Sequence, residues 1–146
     1  MITHDPKTWP SNDPIWDICR AVAFAEGADI EGSVPDRLNN PGDISDFLGV
    51  FGSEFHNGSK VTRFPTKEAG WAHLHWKFKR VVDGESHIFL VSYSWLRVAR
   101  KYAKNWEPWL KIVTEKLGVT IESTPLDYVR AHGYEPEGDH SNTSPD

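Results

Sequence analysis

The sequence predicts an α+β fold, mostly helical, with a small antiparallel β-hairpin lobe packed beside a helical bundle around a central helix. Three observations carry that prediction. An amphipathic run opens at Pro14, an Asn57-Gly58 turn signal stands between short β-prone runs, and a long stretch from Thr66 to Val82 is apolar on more than one side. The 146 residues suit one compact domain, read as residues 14–132, with an N-terminal arm at 1–13 and a flexible C-terminal tail at 133–146.

Met1 to Asn12 is polar and broken by Pro6 and Pro10, which reads as an arm laid over the surface and pinned by Trp9. Asp13 can cap the first helix and Pro14 suits its first position, where a missing N–H costs nothing. Ile15, Ile18, Cys19 and Val22 recur at the spacing of one helical face, and the stripe arrives at Glu26 before Gly27 closes the helix. A carboxyl group at the end of an apolar stripe is partly stripped of water. Its charged form is then disfavoured, and its pKa rises toward the value that a general acid needs near neutrality. On periodicity alone a second reading stays open, a last-turn Glu rotated into solvent.

Ala28 to Pro41 reads as irregular, with Asn39-Asn40-Pro41-Gly42 forming a tight turn that has Pro at the first central position and Gly at the second. The acids Asp29, Glu31, Asp36, Asp43, Asp46 and Glu54 face the single base Arg37, an acidity that belongs near Glu26 if the loop folds back. Phe47–Phe51 and Val61–Phe64 read as two strands joined around His56-Asn57-Gly58-Ser59. Pro65 ends the sheet and Thr66 caps a helix through about Val82. One stripe of that helix is Trp71, Leu74, Phe78 and Val81, and a second is Ala69, Ala72 and Trp76, so it should run through the middle of the domain. His87 to Ser92 fits either an extended connector or the start of a helix. Ser94 can cap a helix carrying Leu96, Ala99 and Tyr102. Asn105 can cap the next, with Trp106, Trp109, Leu110, Val113 and Leu117 as its stripe and Gly118 as its close. A last short helix starts at Thr124-Pro125 and reaches about His132.

Composition narrows the function. A net charge of -5 disfavours a nucleic-acid partner. Arg97, Arg100, Lys101, Lys104, Lys111 and Lys116 then read as a solvated face or as a basic rim turned toward an anionic polymer. Cys19, the single cysteine, falls on the buried stripe. No run of apolar residues is long enough for a membrane span. Met1 to Asp13 lacks the apolar core of a secretion signal, so a target outside the cytoplasm implies delivery by a phage, an export apparatus or lysis. His73 and His75 fall on different helical faces and no Gly-x-Ser-x-Gly elbow occurs, so neither a metal, nor another cofactor, nor a serine nucleophile is expected.

Three stretches taken together resemble a known family: Ala25-Glu26-Gly27, the run from Gly32 to Ile44 with its Asn39-Asn40-Pro41-Gly42-Asp43 turn, and Arg63-Phe64-Pro65-Thr66-Lys67-Glu68-Ala69-Gly70-Trp71. They look like the lysozyme-like lytic transglycosylases of phage particles and bacterial genomes. The likeness covers roughly residues 14 to 130, and Asp43 departs from it where Asn is usual. It implies a lysozyme-like fold, expected as a monomer, that acts on the peptidoglycan of the bacterial cell wall and cuts β-1,4 bonds between N-acetylmuramic acid and N-acetylglucosamine, with Glu26 as the catalytic acid. If Glu26 works alone, a 1,6-anhydro product forms. If Asp43 or Asp46 is a second carboxylate about 6.5–9.5 Å away, water is activated and the enzyme is a muramidase. Asn39 and Asn40 carry amides suited to an N-acetyl group or a hydroxyl, or else serve the turn's own hydrogen bonds, with Asn40 the better contact. The resemblance also implies that the Tyr102 hydroxyl holds Glu26, unless that ring packs in the core. The rival from another class is an inactive glycan-binding or virion structural protein of the same fold.

Overall fold

The computed structural model describes residues 13–46, 48–56 and 58–136; the expected arm with Trp9 and most of the expected tail lie outside them. Among the described residues there are seven helices and one two-stranded antiparallel sheet. Helix α1, Pro14–Ala25, begins as its sequence demands, with the backbone N–H of Ile15 donating to Asp13 Oδ1 at 2.9 Å. Its stripe of Ile15, Ile18, Cys19 and Val22 is fully buried. Burying each aliphatic side chain of this kind contributes about 1.5–3 kcal/mol. Gly27 stops the helix at a φ of +82°, a conformation that only glycine adopts without cost.

Two further helices follow α1 before the sheet. Helix α2, Val34–Arg37, is a single turn capped by Ser33 inside the passage expected to be irregular. Helix α3, Leu48–Phe51, stands where the sequence suggested a strand. The reason lies in the hairpin. Strand β1 is Ser53–His56 and β2 is Ser59–Thr62, paired from Ser53↔Thr62 to His56↔Ser59. A two-residue turn pairs the residues that flank it, so the strand before residues 57 and 58 has to be 53–56 and cannot be 47–51. Val61 and Thr62 stay in β2 as expected. Beyond the end of β2 the Arg63 N–H still donates in register to the Gly52 carbonyl at 3.0 Å, and Phe64 leaves the pairing, its N–H donating to the Leu38 carbonyl at 2.9 Å.

Helix α4, Lys67–Val82, is capped by Thr66 and buries Trp71, Leu74, Phe78 and Val81. Its second stripe corrects the expectation of a central helix, because Ala72 is exposed and Trp76 is 48% exposed. A tryptophan counts as apolar in a periodicity, yet its ring sits comfortably at a surface. The middle of the bundle is α1, which packs against α4 and the later helices α6 and α7.

The connector from His87 to Ser92 is irregular, with Phe89 and Val91 buried. Helix α5, Trp95–Tyr102, is capped by Ser94. Helix α6, Trp106–Leu117, closes on Gly118 in the left-handed region, but the Asn105 side chain makes no capping hydrogen bond, contrary to expectation. Helix α7, Pro125–Ala131, opens with a reciprocal capping box between Thr124 and Asp127. Among the described residues no helix is long and apolar enough to cross a membrane.

The loop after α1 is seated on α4 by two glycines. The turn closes with the Asp43 N–H donating to the Asn40 carbonyl at 3.1 Å, so Pro41 and Gly42 take the two central positions. A Cβ at Gly42 would stand 2.7 Å from Leu74 Cδ1 and 2.8 Å from the Tyr102 hydroxyl, and one at Gly70 would stand 1.8 Å from the Asn39 carbonyl oxygen. At Gly70 backbone meets backbone and no larger residue fits, whereas Gly42 packs against the Leu74 and Tyr102 side chains.

Candidate active site

Glu26 is the C-cap of α1, where the buried stripe ends, and its side chain is partly buried. It lines a groove of about 500 Å³ with Asp43 from the turn, Ser59 and Val61 from the hairpin, and Tyr102, Lys104 and Trp109 from the α5–α6 region. Three other stretches of chain thus meet the end of α1 in one groove. Loss of water on burial, then the negative charge of Asp43, pushes the Glu26 pKa from the usual 4.5 to about 8. The one neighbour acting the other way is the indole N–H of Trp109, which is buried and lies short of a hydrogen bond, so it acts as a nearby donor dipole.

Asp43 has a φ of +53° and Asn39 one of +55°, left-handed positions where Asn and Asp are the side chains most often found. Backbone shape alone therefore accepts either residue at 43, and the carboxylate is what Asp adds. It lines the same groove as Glu26. Asp46 does not. Its carboxylate is held by His73 Nε2 at 2.8 Å and Lys77 Nζ at 3.2 Å, and it borders a different cavity, with Trp76 and Ile88. The His73 hydrogen bond and the Lys77 charge outweigh burial and hold its pKa down at about 2. The expectation of Asp46 as a partner carboxylate is corrected: it pins its loop to α4.

The amide expectations change as well. Asn40 is fully buried, and its Nδ2 donates to the carbonyls of Ile44 and Thr62, both at 2.8 Å, while Oδ1 accepts from the Ile44 N–H at 3.0 Å. Asn39 Nδ2 donates to the Phe64 carbonyl at 3.0 Å. Both amides serve the turn, and Asn40 is out of a ligand's reach. The Tyr102 hydroxyl donates to the Gly42 carbonyl at 2.7 Å and not to Glu26. Its ring stacks on Trp109 at 5.0 Å, and burial followed by the Glu26 charge keeps the phenol protonated, well above its ordinary pKa. Tyr102 therefore floors the groove and locks the turn that carries Asp43.

Of the acids after α1, Asp36 and Glu54 pair with Lys67 and Arg37, leaving Asp43 as the one brought to Glu26. Sequence reasoning gave Trp109 to the core, Asn105 to a cap and Lys104 to a basic face, yet all three border the groove. Long-range packing reveals Trp109 and Asn105, while Lys104 fits the basic-rim alternative that the charge pattern left open. A larger cavity of about 700 Å³ lies between α1, α6 and α7, lined by Asp17, Arg20, Phe24, Lys116 and Tyr128. Asp17 there is already tied to Arg20 at 2.6 Å and to the Tyr128 hydroxyl at 2.9 Å. No family model, curated protein or solved structure matches the chain.

Proposed function

We propose that the chain cleaves β-1,4 glycosidic bonds of peptidoglycan, with Glu26 as general acid. The observation that carries the reading is a carboxyl group protonated at neutral pH at the wall of a groove large enough for sugar rings. The sequence resemblance supports the same residue independently. In the proposed step the Glu26 proton goes to the glycosidic oxygen, the C–O bond breaks, and positive charge grows at the anomeric carbon. That charge is then relieved in one of two ways. The substrate's N-acetyl oxygen bonds to the anomeric carbon; Glu26, now a carboxylate, then takes the proton of the 6-hydroxyl while O6 bonds to the anomeric carbon and the bond to the N-acetyl oxygen breaks, giving the 1,6-anhydro sugar. Alternatively Asp43 activates a water and hydrolysis follows, a route favoured by the presence of Asp43 in the same groove.

The test is clearing of a purified peptidoglycan suspension. Wild type is expected to clear it and Glu26→Gln is not; equal clearing by both overturns the reading, and pelleting with the glycan without clearing by either shows a binding protein. Mass analysis separates the routes, because the transglycosylase product is lighter than the hydrolytic one by one water. The acid must be protonated, so the rate is expected to hold through neutrality and fall as pH rises past about 8. Asp43→Asn removes the neighbouring negative charge and is expected to shift that alkaline fall to lower pH, read from the pH profile of kcat/KM.

A further inference from the structure

The groove beside Glu26 carries two acids, Glu26 and Asp43, and a single basic residue. Of the six basic residues on the late helices and their junction, Arg97 stacks on Tyr93 at 4.2 Å, Arg100 on Trp106 at 5.1 Å and Lys116 on Phe24 at 4.0 Å, while Lys104 alone borders the groove. Lys104 sits between α5 and α6, exposed, and its Nζ lies 3.4 Å from the point where a Cβ on Gly58 would stand. The ammonium therefore spans from the helical wall to the hairpin wall. Beside it Asn105 also borders the groove, and its side chain is not spent on capping α6.

We infer that Lys104, with Asn105 next to it, selects a substrate that carries a carboxylate beside the cleaved bond and sets which bond meets Glu26. This rests on the glycosidase reading above. In an alternating polymer only every second sugar, the muramic acid, bears an O3 lactyl ether ending in a carboxyl group. Asp43 repels an anion within the groove, and Lys104 attracts one. The two charges of opposite sign then fix the register, a use of electrostatics that serves specificity more than affinity. The carboxylate has two sources: the lactyl group itself on strands freed of peptide, or the acidic residues of the stem peptide on intact strands.

The experiment compares kcat/KM on peptide-free strands and on peptide-bearing strands, each as prepared and after conversion of carboxylates to methylamides. Wild type is expected to prefer the charged form of at least one kind by about three- to fivefold, the range of an exposed ion pair; the kind that shows it identifies the source. Lys104→Arg is expected to keep the preference and Lys104→Glu to reverse it. Equal rates of wild type on charged and neutral strands of both kinds overturn the inference. So does a Lys104→Glu variant that slows every substrate alike while moving the alkaline limb, since Lys104 would then be only a counter-charge to the acids. If wild type cleaves nothing, the glycosidase reading has failed. Tryptophan-fluorescence titration with soluble charged and methylamidated fragments then decides the role of Lys104 alone: a charge-dependent affinity abolished in Lys104→Glu supports it, and equal affinities overturn it.

Discussion

Glu26 and Asp46 lie on either side of one turn and are driven in opposite directions, Glu26 up to about 8 and Asp46 down to about 2. Both lose water. Asp46 gains a histidine nitrogen and an ammonium within hydrogen-bonding distance, whereas Glu26 meets a second carboxylate and a donor that falls short of bonding it. The difference shows that burial alone does not decide the state of an acid; the donors brought to it do. One acid becomes a proton reservoir and the other a clamp.

The contrast is sharpened most by removing the acid that is proposed to react. Glu26→Gln is expected to lower the initial clearing rate about 10³-fold, within the range for loss of a positioned general acid. Next in size is Gly70→Ala, which drives a methyl group into the Asn39 carbonyl oxygen, as close as 1.8 Å before relaxation. It is expected to cost about 3 kcal/mol in urea unfolding and, by unseating the turn, to bring the Glu26 pKa back toward 4.5. Smaller and opposite in sign is the stability effect of Glu26→Gln. Between pH 4.5 and 8 native Glu26 holds a proton that the unfolded chain releases, so wild-type stability falls as pH rises through that window. The amide removes this penalty, and a gain of about 1–3 kcal/mol at pH 8 is expected by thermal unfolding, with activity lost as stability rises. Smallest is Asp46→Asn. The lowered pKa of Asp46 contributes stability that is present above about 3.8 and lost as pH falls toward 2, and its side chain is 33% exposed, so a loss under about 1 kcal/mol at pH 7 is expected. A variant as damaging as Gly70→Ala would mean that the Asp46 clamp, and not the glycine contact, holds the loop.

What the sequence made legible was local. Asp13, Ser94 and Thr124 cap the helices expected of them, Gly27 and Gly118 end two, and the apolar stripe of α1 leads to Glu26 because cap, period and stop all lie within one short run. What it concealed depends on partners distant in sequence. Asp46 reads as a free acid until His73 and Lys77 arrive from α4, and Asn40 reads as a ligand amide until Ile44 and Thr62 surround it. Phe47 to Phe51 has strand composition, but the hairpin register had already assigned the pairing positions to Ser53–His56.

The Asn40 side chain ties the backbone of the turn to the backbone of β2, and the Thr62 N–H donates back to the Ile44 carbonyl at 3.0 Å. Such mutual ties make neighbouring segments open together instead of fraying one by one. The amide protons of Ile44 and Thr62 should accordingly exchange with deuterated water at a common rate. Any breathing of the hairpin wide enough to admit a polymer would carry Asp43 along with it, so access to the groove and readiness of its second acid would be one event.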